Sequence, residues 1–474
     1  MRRYLLYGLL LFTVLMPGCM MGPDYRKPPV DAPGAFIYGG EGIGQTADVR
    51  WWKQFNDPVL ESFIAEALVN NKSVRMAAAS VEQAAAVLMQ VRSPLFPQIG
   101  YGGAATRQRA TDSQAVLLPD NPYNTYQSLG SASWELDLWG RSRRLTESAR
   151  ADLLATEEGR RGVLLSLVAA TANTYIQLLG LDDQLAISRR SLAAYGESVA
   201  LFEKQFEYGQ VSQMTVEQAR TQYETAAATI PQIELQIVQT EHALCLLLGR
   251  NPGPVPRGKT MDEISLPAVP AGLPSDLLAN RPDIRQAEQN LISLNARIGA
   301  ARALYFPSIS LTGNYGYASS DLSDLFEGPG RLWSYSGSLT GPLFAGGAIY
   351  GQVRQAEAAR QAALYNYEQS VQNAFADVEN ALAAHRKTSE QILAQERLVR
   401  ACREYARLAQ LQYDGGYAPY STVLQAQQQQ FPAELKYAQS RASLLSSLVN
   451  IYKSMGGGWV TEADRMTAPA PVSP

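Results

Sequence analysis

The fold is decided where the chain changes from a helical to a strand pattern, in the sequence YFPSISLTGNYGY at residues 305–317. Pro307 cannot continue the preceding helix, because it lacks an N–H group and its ring clashes with the helical backbone. Beyond it, Ile309 and Leu311 alternate with polar residues, and the closing Tyr-Gly-Tyr continues the alternation. A tilted strand of about 9–11 residues crosses a bilayer. The stretch therefore predicts a membrane-length strand that directly follows a helix.

The same change of pattern occurs 210 residues earlier, in LFPQI at residues 95–99. The alignment extends without a gap back to residues 68–75, which fall on residues 278–285. A second block, around Gly209 and Gly416, aligns at an offset of 207. This period is far longer than that of a solenoid repeat, so the sequence predicts a duplicated half.

Each half has the pattern of a helix, two strands and a long helical hairpin. The predicted elements are a helix at 59–91, strands at 99–109 and 127–138 and a hairpin at 145–248, then a helix at 276–304, strands at 308–318 and 335–343 and a hairpin at 352–455. Hairpin arms of about 55–60 residues would extend roughly 80–90 Å, too far for a compact domain. The predicted helix caps are Asp57, Ser212 and Ser421, and kinks are expected at Pro231 and Pro432.

Glycines mark the two hairpin turns, where a positive φ is required. The candidate tip residues are Tyr208, Gly209, Gln210 and Val211 in the first half and Tyr413, Asp414, Gly415, Gly416, Tyr417 and Ala418 in the second.

The N-terminus has the pattern of a secretory signal peptide at residues 1–18. Arg2 and Arg3 precede an apolar run at 4–16, which is shorter than the roughly 20 residues that a spanning helix needs. Gly18 and Cys19 follow, and they resemble a lipobox in which the cysteine is acylated, although Met16 departs from the usual Leu. Cleavage without modification is the alternative. A lipid on Cys19 would anchor the chain, and no other cofactor is predicted.

The composition argues against several classes of function. The 474 residues carry a net charge of −3, which does not suggest a nucleic-acid partner. The only two histidines lack metal-ligand spacing, and no phosphate-binding loop or nucleophile elbow occurs, so the chain is predicted not to be an enzyme. Cys245 and Cys402 are interpreted as buried free thiols rather than a disulfide. Beyond the signal peptide no run approaches 18 apolar residues, so any membrane crossing must use strands.

Four strands in one chain have two exposed edges, and an open edge in lipid leaves backbone groups unpaired. They are too few to close a barrel, since the smallest have about eight strands. The chain must therefore associate with copies of itself. Two copies would give a barrel filled by side chains, whereas three would surround a bore.

Six separated motifs occur in order along the mature chain. They are CMMGPDYRKP (19–28), WWKQFNDP (51–58), WELDLWG (134–140), NRPDI (280–284), ALYFP (303–307) and GPLFAGG (341–347). These motifs resemble TolC-type outer-membrane efflux lipoproteins of the NodT-like branch. The resemblance implies a homotrimer with a shared 12-stranded transmembrane β-barrel, four strands per chain, joined to a periplasmic α-barrel of helical hairpins.

The resemblance also implies partners and a gate. A periplasmic adaptor and an inner-membrane pump, usually of the resistance-nodulation-division class, would dock with the channel, whose hairpin tips close it and open like an iris. Many relatives carry an acidic residue where this chain has Ala418, and the nearest acid is Asp414. Tyr413, Tyr417 and Tyr420 either form an aromatic constriction or pack between helices.

The sequence thus predicts a mainly α protein with a small membrane β part, which conducts small molecules passively out of an outer membrane. The predicted divisions are a signal peptide at 1–18, a lipid-anchored extension at 19–57, repeats at 58–267 and 268–460, and a tail at 461–474. The alternative function is an envelope-spanning structural spacer without a pore.

Overall fold

The computed structural model describes residues 20–30, 33–38, 50–111, 121–266, 269, 278–456 and 459–460. The predicted signal peptide, Cys19 and the predicted tail at 461–474 lie outside the described residues. The main elements are α1 (Pro58–Asn70), α2 (Lys72–Arg92), β1 (Gln98–Gln108), β2 (Tyr123–Leu136), α3 (Arg141–Glu207), α4 (Gln213–Leu247), α5 (Pro282–Ala303), β3 (Ser308–Ser319), β4 (Arg331–Thr340), α6 (Ala348–Asp414) and α7 (Tyr420–Ser454).

The chain divides into two compact units. One consists of Met1–Pro29, Val81–Thr156 and Gln286–Glu368, and the other of Val30–Ser80, Glu157–Arg285 and Gln369–Pro474. Neither unit corresponds to one repeat, because each takes segments from both halves of the chain.

The first unit contains a four-stranded antiparallel sheet in the order β1-β2-β3-β4. The central pairing joins the two halves of the chain, with Leu136 opposite Ile309 and Tyr126 opposite Ser319. Strands β1 and β4 form the edges, and neither has a second partner strand among the described residues. The sheet is therefore open at both sides.

Large aromatic side chains of the sheet are exposed in the single chain. Tyr101 is 97% exposed and Tyr335 is 80% exposed, and Tyr335 stacks on Trp333 with ring centroids 5.6 Å apart. Aromatic rings on the outside of a sheet are costly in water but favourable at a membrane interface.

The second unit has an aromatic core. Trp51 stacks on Tyr452 with centroids 5.3 Å apart, and Trp52 contacts Trp459 edge-on at 4.9 Å. Asp57 caps α1 by accepting bonds from the backbone of Val59 and Leu60, as the sequence predicts. Its second carboxylate oxygen accepts a bond of 2.9 Å from the buried Tyr175 hydroxyl of α3.

Within the part of the chain that the structure describes, one helix, α3, contains an 18-residue window that is apolar and long enough to cross a membrane by composition alone. Within that window, 61% of the residues are buried inside the protein. The window therefore behaves as a core helix, which passes the same compositional test.

Several boundaries correct the sequence-based prediction. The single helix expected at 59–91 is broken at Asn71, and the one expected at 276–304 is broken at Arg281. The return helices α4 and α7 have only 35 residues each, whereas α3 and α6 have 67. The predicted turns and hairpin ends already imply return arms of this length, so the figure of about 55–60 residues applies only to the outgoing arms.

Three smaller differences concern the end of β4, the N-cap of α7 and the two prolines of the return helices. Strand β4 ends at Thr340, because Pro342 cannot donate to the ladder. The N-cap of α7 is Pro419, not Ser421, which lies inside the helix. Helices α4 and α7 continue through Pro231 and Pro432, so these prolines do not end them, and the kinks stay a prediction.

Candidate functional site: the hairpin tips

Both long outgoing helices end in the same backbone motif. At the first tip, the amide of Gln210 donates to the carbonyl of Gln205 at 2.8 Å, and that of Gly209 donates to Phe206 at 2.9 Å. At the second tip, Tyr417 donates to Gln412 at 2.8 Å and Gly416 donates to Tyr413 at 2.9 Å. This is the Schellman arrangement, which satisfies the last carbonyls of a helix.

The arrangement depends on glycine at one position in each tip. The φ angle is +70° at Gly209 and +76° at Gly416, and any other L-residue is strained there. The equivalence of these glycines supports the 207-residue offset that the sequence indicates.

The helices that leave the tips begin differently. Ser212 caps α4 by accepting a bond of 3.4 Å from the amide of Thr215. At the start of α7, Pro419 makes no side-chain cap. Pro419 has a φ of −70°, which its ring fixes, so the second tip is defined by backbone restriction rather than by a side-chain bond.

An aromatic cluster joins the two tips within one chain. Phe202 of α3 is 1% exposed, and its ring lies 4.0 Å from Tyr420 and 6.1 Å from Tyr413, between centroids. Tyr413 and Tyr420 are 5.4 Å apart, and burial raises the pKa of the Tyr420 phenol. These two tyrosines therefore pack between helices, which is one of the two alternatives that the sequence leaves open.

Of the other predicted tip residues, Val211 packs against this cluster, whereas Tyr208 and Tyr417 do not. Tyr417 is 89% exposed and Tyr208 is 80% exposed. The carboxylate of Asp414 accepts a bond of 2.8 Å from Gln410 of its own helix. The side chains of Asp414 and Tyr417 are therefore exposed at the end of the second hairpin and do not brace it against the first.

A second contact between the hairpins lies along the helices from the tips. Tyr195 of α3 packs edge-on against Phe431 of α7, with centroids 6.4 Å apart, and burial raises its pKa to about 12. Nearby, Arg403 of α6 pairs with Glu434 of α7 at 2.7 Å. The hairpins are therefore held to each other by aromatic packing, and α6 and α7 are also joined by an ion pair.

The segment that directly follows Cys19 is clamped in the first unit. Arg144, whose side chain is 3% exposed, donates to the carbonyl of Met21 at 3.0 Å and to Asp24 at 2.8 Å. Gly22 lies so close to Gly299 that a Cβ at Gly22 would be 2.4 Å from the Cα of Gly299. Residues 21–24 are thus held within the first unit.

The sequence did not identify Phe202, Arg144 or Arg281 as functional residues. Arg281 is inside the NRPDI motif, and its burial among charged partners is what distinguishes it. Phe202 is one apolar residue among many in a long helix, so nothing local distinguishes it. Among the described residues, no group of three His, Cys, Asp or Glu side chains could hold a metal ion.

Comparison with known proteins finds one matching family and similar proteins along most of the chain. The model of the family described as outer membrane efflux protein matches twice, at residues 63–250 and 273–457. The toluene efflux pump outer membrane protein TtgF of Pseudomonas putida is 37% identical over 96% of this chain and 97% of its own. The cation efflux system protein CusC of Escherichia coli is 35% identical over 94% of this chain and 97% of its own.

A solved structure agrees with these matches. The open state of the Neisseria gonorrhoeae MtrE outer membrane channel superposes with a TM-score of 0.84 and is 31% identical, covering 93% of this chain and 99% of that one. The duplicated hairpins, the four-stranded sheet and these matches together show that the chain belongs to the outer membrane efflux protein family and is an outer-membrane channel for efflux.

Proposed function

We propose that three copies of this chain form a pore that passively conducts small molecules out of the outer membrane, gated at the hairpin tips. The observation that supports the trimer is the open sheet of four strands. Backbone groups at an unpaired edge cost several kcal/mol each in lipid. Three times four strands give a closed wall of twelve, in which β4 of each copy pairs with β1 of the next.

The tips supply the gate because both hairpins end there and pack on each other through an aromatic cluster. Separating Phe202 from Tyr413 and Tyr420 would expose rings that are now packed. Opening is then a population shift between two packed arrangements. Exposed tip side chains such as Tyr208 and Tyr417 are available to a periplasmic adaptor, which would bias the shift and connect the channel to an inner-membrane pump.

The substrate class follows from the relatives only in part. One relative is named for toluene efflux and another for cation efflux. This chain carries no methionine-rich or histidine-rich tract, and soft cations are bound by thioether and imidazole groups. We therefore assign small organic molecules, such as drugs or solvents, as cargo.

The lipid anchor is the remaining part of the proposal. Acyl chains on Cys19 would hold the chain at the membrane without a spanning helix. Mass spectrometry of the mature protein would detect the lipid, and a Cys19→Ser variant should lack it. Lipid that persists in the variant would contradict the assignment of Cys19.

Conductance of the purified protein in planar bilayers tests the pore, and its mass in detergent tests the trimer. The expected results are a trimer and a small basal conductance that rises when the tips are disrupted. A monomer without conductance, also in tip-disrupted variants, would instead favour the structural spacer.

A further inference from the structure

The two halves of the chain carry equivalent but chemically different contacts at the base of their hairpins. Asn71 and Arg281 occupy equivalent positions at the offset of 210, and each is the residue at which the preceding helix breaks. Leu247 and Ser454 are likewise equivalent at the offset of 207, and each is the last residue of a return helix.

In the first half the contact is neutral. The side-chain amide of Asn71 donates to the carbonyl of Leu247 at 2.8 Å, and its oxygen accepts from the amide of Ser73 at 2.8 Å. Asn71 is 6% exposed. The strength of a hydrogen bond between buried, neutral groups depends little on the salt concentration.

In the second half the same carbonyl position is bound by a charge. Arg281 donates to the carbonyl of Ser454 at 2.9 Å, and it pairs with Asp283 at 2.6 Å and with Asp377 at 2.9 Å. It also donates to the carbonyl of Ala374 at 3.4 Å. Arg281 therefore connects the start of α5 with both helices of the second hairpin, α6 and α7.

The charges of this cluster are accessible to ions although the arginine is buried. The Arg281 side chain is 10% exposed, whereas those of Asp283 and Asp377 are 51% and 56% exposed. A cavity of about 540 Å³, lined also by Asn380 and Lys453, opens beside them. Salt screens half-exposed carboxylates far more than buried groups.

The packing around α6 differs in the same sense. The first hairpin base belongs to the large core that contains Trp51, Tyr175 and Leu244, and α7 also reaches this core through Tyr452. Around Arg281, the local cluster on α6 and the end of α7 is small and consists of Val378, Ala381, Leu382, Ile451 and Met455, with Phe36 packed on it. Relative to apolar packing, the ionic contacts therefore contribute more to the position of α6 here than at the base of the first hairpin.

We propose that Arg281, Asp283 and Asp377 form an ionic latch that holds the base of the second hairpin and can be released, whereas Asn71 fixes the first hairpin permanently. The latch deepens the proposed gate and rests on it for any effect on conductance. Arg281 acts here as a positioning residue, because it sets the freedom of α6 and α7 and lies among the hairpin bases rather than among the tip residues.

Hydrogen exchange of the purified full-length protein in detergent tests the latch without using conductance. Raising the salt from about 0.1 M to about 1 M shortens the screening length from roughly 10 to 3 Å. Exchange should then accelerate at the end of α7, reported by the amides of Met455 and Gly456, by about fivefold, which corresponds to roughly 1 kcal/mol. The equivalent amides of Leu248 and Gly249 should not respond.

Two variants and one control decide the origin of that response. Asp377→Asn keeps the side-chain size, and Arg281→Asn copies the first half; both should exchange fast at low salt and lose the salt response. Asn71→Ala is the matched control, and it should accelerate exchange at the end of α4 equally at both salt concentrations.

Equal salt responses at the two hairpin bases, or a full salt response in Asp377→Asn, would overturn the latch. Conductance recorded on the same variants separates the two proposals. A protein that never conducts while its exchange data follow the expected pattern would refute the pore and leave the latch standing.

Discussion

Truncating Phe202 to alanine should loosen the contact between the two tips and raise the open probability of the channel. The ring is 1% exposed and lies between Tyr413 and Tyr420. Removing it deletes both aromatic contacts and leaves a cavity where the two hairpins meet. The arrangement with separated tips loses nothing, because the ring is exposed in it.

The magnitude follows from the burial. Truncation of a fully buried Phe costs about 3–5 kcal/mol, and least where the surroundings can collapse. Leu201 is 48% exposed and Phe206 is 45% exposed, so the tip can collapse and the low end applies. About 3 kcal/mol changes the ratio of packed to separated tips roughly a hundredfold.

Single-channel recording of the wild type and of Phe202→Ala in planar bilayers measures that ratio. Tyr417→Ala is the matched control, since it removes an aromatic ring at the same tip that is 89% exposed. Tyr420→Phe keeps the ring and loses only the hydroxyl, which bonds Ser198 of α3, so it should open less often than Phe202→Ala. If Phe202→Ala opens no more often than Tyr417→Ala, the aromatic cluster does not close the pore.

Three further changes test other parts of the structure. Gly416→Val places a β-branched residue at a φ of +76° and should destabilise the second tip by at least 1–2 kcal/mol, measured as faster hydrogen exchange at the start of α7. Arg144→Ala should free the segment after Cys19, seen as faster exchange at residues 20–24, because a buried hydrogen-bonded charge contributes about 1.5–3 kcal/mol. Burial lowers the pKa of His385 from its ordinary 6.5, so the unfolded chain takes up the proton first as the pH falls. Stability to urea should therefore decline below about pH 6.5 until the lowered pKa is passed, and His385→Asn should remove that decline.

Each of these expectations has a comparison that can contradict it. Gly162 lies in α3, and no atom lies within 4 Å of the position that a Cβ would take there. Gly162→Ala should therefore stabilise by about 0.5–1 kcal/mol where Gly416→Val destabilises. Lys27→Ala removes a half-exposed ion pair with Glu288; if it frees residues 20–24 as much as Arg144→Ala does, Arg144 is not the clamp. An unaltered pH profile in His385→Asn would assign the acid sensitivity to other groups.

The sequence predicted those parts of the fold that arise from local chemistry. Helices α2 and α5 end shortly before Pro97 and Pro307, at Arg92 and Ala303, and the alternation after these prolines places β1 and β3 within one residue of their observed bounds. Gly209 and Gly416 mark the tips, because few other residues adopt a positive φ. The duplication was visible because these restricted positions recur at nearly one offset.

The larger errors come from contacts between distant residues. Asn71 breaks a pattern that is helical throughout, since its side chain caps α2 and binds Leu247, which is 176 residues away. The Phe202 cluster likewise depends on how the two hairpins align, which periodicity does not specify. The boundaries predicted for the signal peptide and the two repeats, and the adaptor contact at the tips, stay predictions.

The pairing of β2 with β3 has a consequence for how the channel wall can arise. The β2–β3 pairing joins the first half of the chain to the second. Pairing of β4 of one copy with β1 of the next would likewise join a second half to a first half. A barrel wall of three identical chains then contains six pairings between a first and a second half. Every other pairing lies within a single chain. Growth around the wall needs no specialised end piece, and its closure depends only on the curvature that each pairing imposes.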